Sequence, residues 1–249
     1  MTTAATEWLD RPRNWLDGAI SVLMPRRCPI CGTTLPDRQR AWCERCESGM
    51  KVYDRPICPG CRRFLNPGGS ACQLGHDMSE PSIVHALGAF DGAFGVMVHA
   101  LKYDGFRDLA KPLGTLLAGT LYDGQIDVIV AVPTSARKKR KRGFGHAEEI
   151  ASACGQATRV RSIPDALHFT RTVADQTKLN AAKRKANLRG AFAVRDGISL
   201  DGSRVLIVDD VLTTGATMCE AARAIKAAGA ATVSGGIVAL NLSMQNRGS

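Results

Sequence analysis

Apolar residues follow two different spacings along residues 83–240, and each spacing predicts one type of element. Short, nearly continuous apolar runs predict buried strands at 83–90, 126–132, 205–208 and 232–240. Apolar residues at helical spacing predict helices at 93–103, 107–121, 145–157 and 218–228. Strands that alternate with helices favour a parallel sheet with helices on both faces, so we predict an α/β domain in this part of the chain.

Residues 26–80 contain few large apolar residues for their length. Such a segment cannot fill a core alone, so we predict a small module that folds around bound metal. A tail at 1–25 precedes it, with a short amphipathic helix over 13–24 that docks on the protein's own body or, as the alternative, lies on a membrane surface. A Pro-containing boundary at 80–82 then separates the module from the α/β domain, predicted at 83–245.

The composition is typical of a globular protein. Apolar residues make up 45% of the 249 residues and charged residues 22%, which suits a packed core. No uninterrupted apolar stretch approaches the roughly 18 residues that a transmembrane helix needs. The first residues carry Glu7, Asp10 and Asp17 without an apolar run, unlike a secretory signal. We therefore expect a cytoplasmic protein with no membrane span.

Nine cysteines in a chain without an export signal indicate metal binding before disulfides. Cys28 and Cys31 form one C-x2-C pair, and Cys43 and Cys46 form another eleven residues later. Two such pairs at this spacing predict a tetrahedral Zn²⁺ site. Four thiolates leave no open coordination position, so we expect this zinc to be structural.

A second set of metal-binding residue types follows, consisting of Cys58, Cys61, Cys72 and His76. The order C-x2-C, then Cys-x3-His, could complete a second zinc site, although its second half is not a C-x2-C pair. The sequence leaves open whether this site exists. It also leaves open whether two sites would be sequential or interleaved.

The segment at 204–217 combines a strand with chemistry at its end. The apolar run at 205–208 is followed by two carboxylates, Asp209 and Asp210, and then by a loop of small residues that leads into a helix. The loop consists of Thr213, Thr214, Gly215, Ala216 and Thr217. Unpaired backbone N–H groups at a helix N-terminus suit a phosphate, and the carboxylates suit hydroxyls or a divalent metal. Together they predict a site for a phosphorylated sugar.

This segment resembles the phosphoribosyl pyrophosphate motif of the type I phosphoribosyltransferases, in which an apolar strand and paired acids precede Thr-Thr-Gly-x-Thr. The resemblance implies that the loop at 213–217 holds the ribose 5-phosphate. It also implies that Asp209 and Asp210 are the catalytic acids that address the ribose hydroxyls, with Mg²⁺ as the metal that accompanies the sugar pyrophosphate.

Pro133, Thr134 and Ser135 follow another predicted strand, and the carboxyl ends of parallel strands meet at one edge of a sheet. Six consecutive cations at 137–142 come next, in a chain whose formal net charge is +10. We predict that some of them, with Arg137, Lys138 and Arg142 as candidates, meet pyrophosphate. The alternative is a solvated basic loop or a non-specific nucleic-acid patch. Lys102 is a candidate phosphate contact or a surface lysine.

Most of residues 25–240 resemble the ComF family, the competence-linked phosphoribosyltransferase-like proteins that include the GntX branch. After the four-cysteine module, the similar motifs are LKYDG at 101–105, Val132-Pro133, RGF at 142–144, Arg171-Thr172 with Gln176 and Leu179, Arg184, Asn187 and GAF at 190–192. The family usually continues RGF with Asn-Gln, whereas Gly145 and His146 follow here. It also more often shows paired cysteines where this chain has Cys72 and His76.

Two functions follow from these patterns. As an enzyme, the protein would transfer the phosphoribosyl group to a nitrogen nucleophile and release pyrophosphate, with segment 171–192 as a lid that excludes water or, alternatively, as an exposed linker. As a binding module, it would sense phosphoribosyl pyrophosphate or a nucleotide and contact single-stranded DNA or a DNA-uptake partner. Three Trp, three Tyr and seven Phe argue against a platform that stacks many bases.

Overall fold

The computed structural model describes residues 26–36, 40–66, 72, 74, 81–121, 126–172 and 187–242. The chain divides into two compact units, residues 1–49 and residues 50–249. The first unit contains helix α1, Glu44–Gly49, directly after Cys43. The predicted helix at 13–24 lies outside the described residues. Among the described residues, no helix is both long and apolar enough to cross a membrane.

The second unit is built on a parallel sheet. Its described strands in chain order are β1 (Val84–Ala89), β2 (Val128–Ala131), β3 (Arg161–Ser162), β4 (Leu167–Phe169), β5 (Phe192–Val194), β6 (Arg204–Leu212) and β7 (Thr232–Leu240). The order across the sheet is β1-β7-β6-β2-β3, and every neighbouring pair is parallel. β4 and β5 form a separate antiparallel pair. β6 therefore lies at the centre of the sheet, between β7 and β2.

The helices of this unit alternate with the strands as predicted. In chain order they are α2 (Ala93–Tyr103), the 3-10 helix Arg107–Leu109, α3 (Ala110–Ala118), α4 (Ala136–Arg142), α5 (His146–Thr158) and α6 (Ala216–Ala227). Gly235 and Gly236 are successive residues of β7 and so face opposite sides of the sheet. A Cβ on Gly235 would lie 3.4 Å from Met218 of α6, and one on Gly236 would lie 3.1 Å from Leu117 of α3. Helices thus cover both faces, which confirms the predicted α/β fold.

β6 extends beyond its predicted end at Val208, because Val211 and Leu212 pair with the end of β7. The pairing of β6 with its other neighbour, β2, stops at Val208. Asp209 and Asp210 therefore lie inside a strand, at a point where only one side of that strand is paired within the sheet. We predicted Asp209 and Asp210 to follow the strand because the apolar run ends at Val208.

Four described elements of the second unit were not predicted, because apolar residues do not recur at a regular spacing in their sequences. β3, β4 and β5 contain only two or three residues each, too few to display a spacing. The cations at 137–142 form helix α4, although their sequence contains no apolar stripe. Four residues, 132–135, separate the end of β2 from the start of α4.

A glycine fixes the position of α5 beside α3. A Cβ on Gly114 of α3 would lie 2.5 Å from the carbonyl oxygen of Ile150 on α5, so only glycine allows this close approach. Ile150 is fully buried, as are Ile129 of β2 and Ile207 of β6. Tight packing of this kind leaves side chains little freedom. The first turn of α5, which contributes to the site described below, is therefore held against a rigid core.

Candidate functional site

The turn between β6 and α6 contains the predicted phosphate loop. Gly215 has a φ of +77°, a left-handed conformation that favours glycine, and it directly precedes the first helical residue, Ala216. The Ala216 N–H lies 3.4 Å from Thr214 Oγ1, to which it donates. The N–H groups of the first helical turn have no partner within the helix and lie at the positive end of its dipole. This turn therefore has the geometry of an anion-binding site.

The two predicted acids lie near the end of β6, and Val211 and Leu212 separate them from this turn. Asp209 and Asp210 are both half-buried, and the Asp210 N–H donates to Asp209 Oδ1 at 2.8 Å. Burial raises the pKa of the Asp209 carboxyl well above its usual range, and the neighbouring Asp210 charge adds to this effect. Hydroxyl donors or a divalent cation would offset the charge of the pair. Sugar hydroxyls are such donors and Mg²⁺ is such a cation, so the two carboxylates fit the predicted metal.

Lys102, the candidate phosphate contact, lies beside the acids. Its Nζ is 2.8 Å from Asp210 Oδ1, and the side chains of both partners are largely buried. Lys102 therefore neutralises one carboxylate of the pair. The sequence did not predict this ion pair, because the two residues lie far apart along the chain and meet only when α2 packs beside the sheet.

Thr134, three residues after the end of β2, donates two hydrogen bonds to Glu148 of α5. Its backbone N–H lies 3.2 Å from Glu148 Oε1, and its hydroxyl lies 3.0 Å from Oε2. These are the donors that the predicted pyrophosphate site would use. Glu148 was not among the predicted site residues, because nothing in its local sequence distinguishes it from an ordinary surface glutamate on a helix.

The glycine that departs from the ComF pattern lies against this glutamate. A Cβ on Gly145 would collide with the Glu148 carboxylate. Gly145 precedes α5 in an extended conformation, with a φ of −101°, so its backbone does not require glycine. Its lack of a side chain instead provides the space that the Glu148 carboxylate occupies.

His146, the other departure, is a buried histidine beside the acids. It is only 2% exposed, and its Nε2 has no hydrogen-bond partner among the described residues. Burial is the main reason that the pKa of His146 is lowered to about 4. The charges of Arg142 and Lys102 also lower this pKa, whereas the charge of Asp210 raises it. His146 is therefore neutral at pH 7. The mismatch with the family pattern was the signal that could have identified it as a site residue.

Helix α4 carries the predicted pyrophosphate contacts. Arg137 is exposed, and Lys138 is half-buried. The Arg142 guanidinium lies over the ring of Tyr103, 5.1 Å from its centroid. Only residues 132–135 separate β2 from α4, so the helix that carries these cations begins near the carboxyl end of β2. Their contact with pyrophosphate remains a prediction.

The predicted lid at 171–192 has anchored ends, while residues 173–186 lie outside the described residues. Thr170 Oγ1 donates to the Gly190 carbonyl at 2.9 Å. The Gly190 N–H in turn lies 3.3 Å from Glu220 Oε2 of α6, to which it donates. Both ends of the segment are thus tied to the helix that begins at the phosphate loop. A lid at this position remains a prediction.

Four cysteines of the first unit form one cluster. The Sγ atoms of Cys28, Cys31, Cys43 and Cys46 all lie within 4.8 Å of one another, and those of Cys31 and Cys43 are 3.6 Å apart. Sulfurs bound to zinc at about 2.3 Å in a tetrahedron are about 3.8 Å apart. The cluster therefore has the dimensions of the predicted four-thiolate zinc site.

Three cysteines of the second unit form another cluster. The Sγ atoms of Cys58, Cys61 and Cys72 lie within 4.8 Å of one another, with Cys61 and Cys72 only 3.6 Å apart. Three of the four predicted ligands of the second site thus come together. The fourth predicted ligand, His76, lies outside the described residues. The two clusters draw on consecutive stretches of the chain, so their described ligands are sequential and not interleaved.

Comparison with known families agrees with both parts of this architecture. Residues 107–245 match the phosphoribosyl transferase domain family. The chain belongs to this family. Residues 19–74 match the double zinc ribbon domain, which accounts for the two cysteine clusters and supports structural Zn²⁺.

Two curated relatives align with most of the chain. DNA utilization protein YhgH from Escherichia coli O6:H1 is 28% identical over 220 residues, which cover 84% of this chain and 95% of the relative. Competence protein ComFC from Streptococcus pneumoniae is 24% identical over 83% of this chain and 96% of its own length. These relatives confirm the predicted resemblance to the ComF family.

A solved structure of glutamine phosphoribosylpyrophosphate amidotransferase from B. subtilis, complexed with ADP and GMP, is also similar. It matches 53% of this chain with 25% identity and a TM-score of 0.37. The chain spans about a quarter of the length of that enzyme, 26%.

Loss of one ligand from the first cluster should release its zinc. We expect Cys43→Ser to lose about one equivalent of zinc per chain, because three thiolates hold the ion less tightly than four. Residues 26–49 should then become sensitive to protease. Elemental analysis and limited proteolysis measure the two effects.

Cys219→Ser serves as the matched control, since Cys219 lies on α6 and belongs to neither cluster. It should keep the zinc content and the protease resistance of the wild type. A metal-free wild-type protein whose N-terminal unit resists protease would contradict the assignment.

Proposed function

We propose that the protein binds phosphoribosyl pyrophosphate with Mg²⁺ and transfers its phosphoribosyl group to a nitrogen nucleophile. One observation carries this proposal: the paired carboxylates Asp209 and Asp210 and the loop at the start of α6 are adjacent at the end of one central strand. The carboxylates suit hydroxyls, and the loop suits a phosphate. Membership of the phosphoribosyl transferase domain family supports the same class of substrate.

The ribose 5-phosphate would bind at residues 213–217. There the N–H groups of the first turn of α6 and the threonine hydroxyls offer hydrogen bonds to phosphate oxygens. The ribose hydroxyls would donate to Asp209 and Asp210. Lys102 already neutralises Asp210, so a neutral sugar can approach the pair without facing two uncompensated charges.

The pyrophosphate would lie toward Pro133, Thr134 and Ser135. Because both donors of Thr134 are bound to Glu148, pyrophosphate can use them only if that carboxylate moves. Lys139 Nζ lies 3.8 Å from Glu148 Oε1 and offers the carboxylate an alternative partner. The cations of α4, including Arg137, Lys138 and Arg142, would then balance the charge of the pyrophosphate.

During the transfer, the bond between the anomeric carbon and the pyrophosphate oxygen breaks, and pyrophosphate leaves with the electron pair. The nitrogen nucleophile forms the new bond to that carbon and gives up a proton to solvent. Mg²⁺ bound with pyrophosphate would supply additional neutralisation of the leaving group. Asp209 and Asp210 would favour the positive charge that develops on the ribose ring, and a closed segment at 171–192 would exclude competing water.

Three substitutions test the site directly. We expect Asp209→Asn, Asp210→Asn and Thr214→Val each to weaken binding of phosphoribosyl pyrophosphate while leaving the fold intact. Thr214→Val removes one hydroxyl at nearly constant volume, and a hydrogen bond to a charged group contributes about 1.5–3 kcal/mol. The expected loss of affinity is therefore roughly ten- to a hundred-fold, measured by calorimetry with Mg²⁺ present.

The exposed carboxylate Asp196 provides a matched control, since Asp196→Asn removes the same charge outside the site. This variant should bind with wild-type affinity. A well-folded double variant, Asp209→Asn with Asp210→Asn, that also binds like the wild type would refute the site. Pyrophosphate release with a panel of candidate bases would then separate turnover from binding alone.

A second function is favoured by the exposure of α4. Arg137, Lys139 and Arg140 are all exposed on this helix, which suits contact with a polyanion. The names of the relatives refer to DNA utilization and competence. In this alternative, the protein senses phosphoribosyl pyrophosphate or a nucleotide without turning it over, and α4 contacts single-stranded DNA or a DNA-uptake partner.

If α4 binds DNA, the contact should be electrostatic. Replacing Arg137, Lys139 and Arg140 with glutamine should weaken binding of single-stranded DNA equally for all sequences, because phosphate contacts carry no sequence information. The negative slope of log affinity against log salt should become shallower by about 0.7 for each phosphate that the variant no longer neutralises. Fluorescence anisotropy across a salt series measures both quantities.

The charge-matched control replaces three other exposed cations, Arg159, Arg161 and Arg195, with glutamine. It should change the affinity and the salt slope much less. Equal effects from the two triple variants would show that DNA responds to net charge and not to α4. Unchanged affinity for DNA in the α4 variant would show that DNA contacts another part of the protein.

A further inference from the structure

The C-x2-C pairs that begin at Cys28 and Cys58 each form a knuckle, residues 28–33 and 58–63, and the two knuckles share one backbone pattern. In each, the first cysteine N–H donates to the carbonyl five residues ahead, and the residue four ahead donates back to the first cysteine. That fourth residue is left-handed in both knuckles, with a φ of +75° at Gly32 and +60° at Arg62. Glycine tolerates this conformation, whereas a side chain is strained in it. An arginine at the strained position therefore points to a role for its side chain.

The Arg62 guanidinium joins the knuckle to the phosphate loop. Its Nη1 donates to the carbonyl oxygen of Thr213 at 2.5 Å and to that of Asn241 at 3.3 Å. Thr213 is the first residue of the loop, and Asn241 directly follows β7. The Asn241 N–H in turn donates to the Leu212 carbonyl at 2.9 Å. One nitrogen thus bridges the carboxyl ends of the two strands that position the site.

The bond to Thr213 determines how the next peptide unit is oriented. In a planar trans peptide, the C=O of Thr213 and the N–H of Thr214 point in opposite directions. A guanidinium that holds the carbonyl on one side therefore presents the N–H on the other. The cation also polarises the peptide unit and so strengthens the N–H as a donor to an anion.

The knuckle that carries Arg62 is itself fixed to the sheet. Ile57 pairs with Val84 of β1 through two hydrogen bonds of 2.8 and 3.0 Å, and its side chain is fully buried. The Pro59 carbonyl lies 3.5 Å from the position that a Cβ on Gly215 would occupy. The knuckle therefore lies against the phosphate loop at Gly215 as well as at Thr213.

We propose that Arg62 is a positioning residue for the phosphate loop, and that it couples metal binding at Cys58, Cys61 and Cys72 to sugar-phosphate binding. A metal ion joins the knuckle to the more distant Cys72, and the ordered knuckle holds Arg62 against Thr213. Such coupling is reciprocal, so ligand at the loop must tighten metal binding by the same factor that metal tightens ligand binding. The coupling rests on the proposed function for its ligand.

The first arm of the test measures binding of ribose 5-phosphate to the zinc-loaded full chain by calorimetry. Arg62→Gly removes the guanidinium and also relieves the backbone strain, so the knuckle should still fold and keep its zinc. We expect about tenfold weaker binding, the effect of one hydrogen bond from a charged group. Arg63→Ala removes an exposed charge from the same knuckle and should bind like the wild type.

The second arm measures zinc release to a chromogenic chelator. Cys61→Ser removes a ligand of the second cluster, so the phase of zinc release that this variant lacks is the one that comes from the second cluster. Ribose 5-phosphate should slow this phase in the wild type and in Arg63→Ala, but not in Arg62→Gly. A purely structural role for Arg62 would change the release rate without changing its response to the sugar phosphate.

The third arm needs no ligand and separates this proposal from the proposed function. Hydrogen exchange at the amides of residues 213–217 should be faster in Arg62→Gly than in Arg63→Ala or the wild type. Faster exchange limited to this loop would support positioning even if the wild type bound no sugar phosphate, which would refute the proposed function and the coupling. Equal exchange in all three proteins would overturn the positioning role.

Discussion

Hydrogen bonding between β6 and β7 continues past the point where β2 stops, and the arrangement of the site depends on this difference. Beyond Val208, the central strand is paired with β7 alone, through to Leu212. Asp209 and Asp210 lie on this half-paired length, where β2 no longer pairs with one edge of the strand. The pairing with β7 continues to Leu212, and the turn at Gly215 then leads into α6. The sheet therefore fixes the distance between the two acids and the anion-binding turn.

Charge balance is the second constraint on the site. Three carboxylates, those of Asp209, Asp210 and Glu148, lie near the region proposed for a polyanionic substrate. Lys102 compensates Asp210, and Glu148 satisfies the donors of Thr134. Substrate binding must therefore exchange internal partners for external ones, which limits the net gain from each contact. Such exchange favours a ligand that brings its own cation and hydroxyl donors.

The sequence predicted the features that local chemistry determines. Apolar spacing located strands β1, β2, β6 and β7 and helices α2, α3, α5 and α6 of the α/β domain, and the motif at 209–217 located the acids and the loop. Contacts between distant segments were not predictable, because a single chain carries no information on which helix packs beside which strand end. The Lys102–Asp210 pair, the Glu148–Thr134 bonds and the contact of Arg62 with the loop all belong to this class. His146 was visible only as a departure from a family pattern, and its burial next to the acids required the fold.

The central claim is that the loop at 213–217 holds the phosphate of a phosphorylated ribose. Titration of the isotope-labelled protein with ribose 5-phosphate, followed through the backbone amide resonances, tests this claim most directly. Saturable shifts should be largest at Thr214, Gly215 and Ala216, since these N–H groups would bond to phosphate oxygens. Binding that leaves these three amides unshifted while resonances elsewhere move would contradict the account.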